Sequence, residues 1–262
     1  MPHNLRQLSL FGAPVELDGE VAADEPLPPS LQVRGQTNLF GAEEPVGSPS
    51  RGAASANQPT EAPPSAPRPA TRSAAERATA LAQLAQEAVG CRRCPLREGA
   101  RQVVFGEGNP DATLMLVGEG PGAQEDLEGR PFVGRAGQLL DKMLAAIGIA
   151  REEVYIANVV KCRPPGNRVP TPAEQDACFP YLQQQIELVQ PEIILCLGAT
   201  AARRLIDPRF SVTRSHGVWY EREGRRVIAT FHPAALLRDP GKKRLAWDDL
   251  QKVQAVYFGR EG

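Results

Sequence analysis

Four short apolar runs constrain this chain more than any other feature. They are ATLMLV (112–117), EVYIANVV (153–160), EIILCLG (192–198) and RVIATF (226–231), and a stretch of helical character follows each. Apolar runs of this length, bounded by turn residues, read as buried strands. The first leads into Leu139, Leu140, Met143, Leu144 and Ile147 at helical spacing. The second leads to Thr171, Pro172 and Glu174, which supply an N-cap, a first-turn proline and a capping-box glutamate. ATAARRLI follows the third run, then a polar hairpin-like stretch, and a last helix is expected near 242–256 after the fourth. One more helix precedes the first strand, opened by a capping box at Ser73 and Glu76, carried by Leu81, Leu84 and Ala88, and stopped by Gly90. Strands alternating with helices make a mainly parallel sheet covered on both faces.

In such sheets ligands sit beyond the carboxyl ends of the strands. The residues found there are Gly118-Glu119-Gly120-Pro121-Gly122 after the first strand, Asn158 near the end of the second, and His232-Pro233 after the last. The glycine loop lacks the Lys-Ser/Thr pair of a P-loop and the full G-x-G-x-x-G of a dinucleotide site, which argues against a nucleotide. Glu119 within it is more informative, because a carboxylate among backbone amides can orient a water or face a developing cation. The other histidines, His3 and His216, lie in no comparable context.

Five cysteines and a start, MPHNLRQLSL, without the layout of a secretory signal argue against a disulfide framework. No run approaches the length of a membrane span, so a soluble, cytoplasmic protein is expected. Cys91 and Cys94 form a C-x2-C pair, and Cys162 and Cys178 lie far downstream. That split arrangement is atypical of a zinc ribbon, and spacing alone leaves a cluster, zinc or plain buried thiols open. Cys196, inside EIILCLG, reads as a small core residue.

The net charge of −1 is a sum over two unlike parts. Residues 1–75 hold 12 of the 25 prolines, with 8 acidic and 5 basic residues and no lysine. Such a stretch cannot bury a core, so 1–72 is expected to be a disordered Pro/Ala-rich arm. The remainder from 73 to 262 is long enough for one packed domain.

Together, VFGEGNPDATLMLVGEGPGAQEDLEGRPFVGRAGQLL, YIANVVKCRPPGNRVPTPAEQDAC and FHPAALLRDP resemble the family 4 uracil-DNA glycosylases, the iron–sulfur branch of that superfamily. The resemblance covers about 90–258. It implies an α/β/α sandwich on a four-stranded parallel sheet, removal of uracil from DNA, and a structural [4Fe–4S] cluster held by Cys91, Cys94, Cys162 and Cys178. His232 would donate to uracil O2, and Glu119 would orient water or face the sugar cation. Phe132 would stack on the flipped base and Asn158 would read its edge. Glu125 would crowd the methyl of thymine, and Gly118 and Gly120 belong to the same substrate-binding set. Leu236 and Leu237 would wedge into the duplex, with Arg238 near a phosphate. Arg130, Arg135, Lys161, Arg163, Arg168, Lys242, Lys243 and Arg244 are candidates for a DNA groove. A related branch captures uracil-DNA covalently through a histidine near the second motif, and CRPPGNRVPTPAEQDAC contains none. A non-catalytic uracil-DNA reader is the other alternative, against which the intact Glu119, Asn158 and His232 speak.

The arm carries a signal of its own. QLSLFGA, beginning at Gln7 and containing Leu10 and Phe11, recurs as QTNLFGA from Gln36, so Q-x-x-L-F-G-A appears twice. QLSLF is similar to the pentapeptide by which bacterial repair proteins dock on the sliding clamp. The partners expected are therefore uracil-containing DNA and a sliding clamp, for a monomeric protein acting at the nucleoid.

Overall fold

The computed structural model describes residues 72–259. The arm and its Gln7, Leu10 and Phe11 lie outside the described residues. Helix α1 (Ala74–Val89) begins as its sequence predicts: Ser73 accepts from the Glu76 amide, while the Glu76 carboxylate accepts from the Ser73 amide at 2.7 Å. A short turn of helix, α2 (Leu96–Gly99), follows.

The sheet contains strands β1 (Glu107–Gly108), β2 (Leu114–Gly118), β3 (Tyr155–Asn158), β4 (Ile193–Leu197), β5 (Trp219–Arg222) and β6 (Arg225–Thr230), in the order β1-β3-β2-β4-β6-β5. The four inner strands run parallel, as expected, and are those read from the apolar runs. Two antiparallel edge strands, β1 and β5, enlarge the expected four-stranded sheet to six. β5 belongs to the polar hairpin, turned at Glu223 and Gly224, which both adopt positive φ. β1 spans two residues, too few to show any period.

Helices α3 (Ala123–Glu128), α4 (Arg135–Ala146), α5 (Pro172–Val189), α6 (Ala199–Leu205), α7 (Val212–Ser215), α8 (Pro233–Arg238) and α9 (Lys243–Tyr257) complete the domain. Side chains alternate across the strands. Met115, Val117, Ala157, Ile194 and Cys196 join Leu84, Leu182, Ile186 and Ala201 from α1, α5 and α6 in one core layer. Leu114, Leu116, Ile156, Leu195 and Ile228 join Leu140, Met143, Leu250 and Val253 from α4 and α9 in the other. The result is the three-layer α/β/α sandwich. Cys196 is fully buried on β4, and burial pushes its thiol far above the usual range, as a small core residue requires. No described helix is long and apolar enough to cross a membrane.

Candidate active site

Strand order places the motifs together. Gly118 pairs with Asn158 across β2 and β3, and Leu197 pairs with Thr230 across β4 and β6. The turns beyond these strands therefore meet over the carboxyl end of the sheet. The glycine loop is held there by its backbone, because Gly118 and Glu119 carbonyls accept from the amides of Val159 and Val160 at 3.0 and 3.1 Å.

Gly118 is dictated by close approach. A Cβ on it would overlap Asn158 Oδ1 and lie 2.6 Å from Phe132 Cζ. Asn158 itself is 2% exposed, and its Oδ1 has no hydrogen-bond partner. A buried, unpartnered amide oxygen is costly in a folded protein and is a reason to look for a ligand. Beside it lies Phe132, a buried residue with φ of 53°, whose ring stacks on His232 at 5.5 Å between centroids. A positive φ at a bulky residue is a strained conformation held by its surroundings.

Glu125 supplies that hold. Its Oε1 accepts from the amides of Val133 and Gly134 at 3.0 and 2.9 Å, and its Oε2 accepts from Gly122 at 3.1 Å. The carboxylate expected to face a thymine methyl thus ties the glycine loop to the segment that carries Phe132.

His232 caps α8, its Nδ1 accepting from the Ala234 amide at 3.1 Å. The ring proton therefore belongs on Nε2. Burial pulls the imidazole pKa down to about 4, the nearby Arg238 adding to the effect and Glu125 opposing it. At neutral pH this is an uncharged ring with one donor. Glu119, half-buried, accepts a hydrogen bond from Thr200 Oγ1 at the start of α6. The sequence reading missed Thr200, although it follows the third strand as the other motifs follow theirs.

A second unforeseen set lies behind His232. Asp249 of α9, 2% exposed, accepts from Thr230 Oγ1 at 2.6 Å and pairs with His216 Nδ1 at 3.0 Å. It braces the end of β6 just before the His232 turn, which supplies the context that His216 lacked in sequence.

Two expectations are corrected by burial. Leu236 is fully buried in the core, so of the expected wedge only Leu237, 38% exposed, and the exposed Arg238 reach the surface. Lys161 cannot line a DNA groove: it is 2% exposed, and its Nζ donates to the Asn158 carbonyl at 2.9 Å and to Gln185 Oε1. Burial draws its pKa down to about 8. Arg168 and Arg130 stay exposed while paired, Arg168 forking onto Glu174 at 2.8 and 2.6 Å and Arg130 meeting Glu107 at 2.7 Å. Arg135 and Arg244 remain on the surface.

The four expected ligands also converge. Cys91, Cys94, Cys162 and Cys178 line one cavity between α1, α2 and α5, walled by Ala88, Leu96, Val103 and Val160. Among the described residues no group of three or more His, Cys, Asp or Glu side chains is arranged to hold a single metal ion. The backbone amide of Lys161 points at Cys178 Sγ at 3.2 Å. Burial pushes the Cys162 thiol up to about 12, with the other three cysteines adding to it, and burial raises Cys178 as well, against the pull of Lys161. Such thiols ionise only beside a compensating cationic centre. An all-sulfur donor set with Arg93, Arg97 and Lys161 in the same lining suits an anionic iron–sulfur cluster.

Comparison with known proteins gives the family. The model of the uracil DNA glycosylase superfamily matches residues 105–251. A type-4 uracil-DNA glycosylase of Thermotoga maritima is 48% identical over 178 residues, 66% of this chain and 91% of the relative. One from Archaeoglobus fulgidus is 46% identical over 181 residues, with the same shares covered. A type-5 uracil-DNA glycosylase of Pyrobaculum aerophilum is 31% identical over 198 residues, 63% of this chain and 86% of the relative. With its motifs gathered at the carboxyl end of the sheet and these matches spanning them, the chain belongs to the uracil-DNA glycosylase superfamily, alongside the type-4 enzymes.

Proposed function

We propose that the protein removes uracil from DNA by hydrolysing its N-glycosidic bond, with the site around Asn158, Phe132, Glu119 and His232. The observation that carries this reading is the buried, unpartnered Asn158 Oδ1 beside the Phe132 ring. Uracil extruded from the duplex supplies the missing donor through N3–H, and its O4 accepts from the same side-chain amide. Cytosine presents the opposite pattern and leaves both groups unmatched.

Bond cleavage leaves negative charge on uracil and positive charge on the sugar. A neutral His232, its proton on Nε2, donates to O2 as that charge grows. Glu119 faces the sugar cation or orients the attacking water. Glu125 holds the Phe132 segment against the loop, and this packing crowds the space a 5-methyl needs. Leu237 fills the gap left by the base, and Arg238 contacts a neighbouring phosphate.

Cys91, Cys94, Cys162 and Cys178 would hold a [4Fe–4S] cluster in the cysteine cavity. Through these four residues the segment after α1 would be tied to the loop after β3 and to α5 itself. The arm delivers the enzyme, since Gln7, Leu10 and Phe11 of QLSLF fit a clamp pocket with micromolar affinity, roughly −8 kcal/mol. The enzyme acts as a monomer at the nucleoid. Single-turnover assays on oligonucleotides containing uracil, cytosine or thymine test the reading: excision confined to uracil is expected, and no excision by the cluster-loaded protein would overturn it. In the same assay His232→Ala is expected to cut the rate by about 10²-fold while changing DNA affinity little.

A further inference from the structure

The turn after β4 forms a wall of the site that none of the three motifs includes. Gly198 has φ of 92°, and a Cβ there would come within 3.0 Å of His232 Cβ. Its amide donates to the Thr230 carbonyl at 2.9 Å, so the turn is fastened to the strand that leads into His232. Two residues on, Thr200 is 6% exposed and its Oγ1 donates to Glu119 Oε2 across 81 positions of sequence.

We propose that Thr200 is a positioning residue for the catalytic carboxylate: its hydroxyl pins one oxygen of Glu119, so that the carboxylate meets the substrate in a single orientation. The proposal rests on the reading of Glu119 given above. A carboxylate on a flexible stem has a broad terminal torsion, and one fixed hydrogen bond narrows it. The hydroxyl has one proton to give, and giving it to Oε2 leaves Oε1 for the water or the sugar. Thr200 suits this task because it is buried on the first turn of α6 and fastened through Gly198 to the His232 strand. One rigid turn therefore sets the spacing of both catalytic groups, and spacing of this kind governs rate rather than affinity.

The test is a double-mutant cycle on the full-length, cluster-loaded protein with a uracil-containing duplex. Thr200→Val keeps shape and removes the donor; it should lower the single-turnover rate about 10-fold or more and leave half-saturation by DNA unchanged. Thr200→Ser restores the donor and should stay within about 3-fold of wild type. In the Glu119→Gln background the valine change should add little, because the bond it removes no longer has its carboxylate. Thr200→Ala carries the same comparison if the valine variant fails to fold. A wild-type rate for Thr200→Val with an impaired Glu119→Gln overturns the role of Thr200 alone, as does full additivity of the two changes. A wild-type rate for Glu119→Gln overturns the reading of Glu119 beneath it.

Discussion

At the residue scale, His232 shows how a local cap sets a chemical state. Because Nδ1 is taken by the Ala234 amide and burial disfavours the cation, the ring stays neutral well below physiological pH. The sign of its effect on stability follows. Its folded pKa of about 4 lies below the ordinary 6.5, so the unfolded chain takes up a proton that the native ring refuses. Above the ordinary value the residue adds no pH dependence; as pH falls from 6.5 towards 4, its burial progressively lowers stability. Urea midpoints at pH 5 and pH 7.5 measure this, and the drop on acidification should be larger for wild type than for His232→Gln. Equal drops would place the imidazole in water rather than in the pocket.

At the scale of elements, the strand ends are braced by polar groups buried beneath them. Lys161 links Asn158 to Gln185, whose Nε2 donates to the Phe105 carbonyl at 2.9 Å and to the Tyr155 hydroxyl at 3.1 Å. Asp249 links α9 to Thr230 and His216. Removing one partner of such a set leaves the others buried and unsatisfied. Asp249→Ala should therefore cost about 2–4 kcal/mol in denaturant unfolding. It should also slow excision, because the end of β6 aims His232. A loss under about 0.5 kcal/mol would mean that the brace is dispensable.

At the scale of the whole molecule, the cysteine cavity joins segments that are distant in sequence. If a cluster fills it, Cys178→Ala should lower iron content and thermal stability together, since metal binding and folding are linked. Cys196→Ala should leave iron and the visible spectrum unchanged and cost about 1 kcal/mol of packing. Stoichiometric zinc without iron in anaerobically prepared protein would refute the cluster. Deleting residues 1–71 should leave excision on short oligonucleotides intact while abolishing binding to a bacterial sliding clamp in calorimetry. Retained binding by the truncated protein would relocate the clamp contact to the folded domain.

The sequence by itself determined the parallel core of the sheet and most of its helices, because strand runs, caps and helical spacing act within a few residues of one another. Ser73 with Glu76 and Thr171 with Glu174 form in the structure the caps they spell in sequence. The motif positions Glu119, Asn158 and His232 were legible too, since each lies at or within two residues of the carboxyl end of a strand. Tertiary structure alone decided what those residues touch. It buried Leu236 and left Leu237 exposed, although the two are adjacent leucines. It withdrew Lys161 from the surface, set Glu125 to holding a loop, and brought Thr200 to Glu119 and Asp249 to Thr230. Those partners depend on strand order and on which helix covers which face, and no local pattern of side chains carries that information.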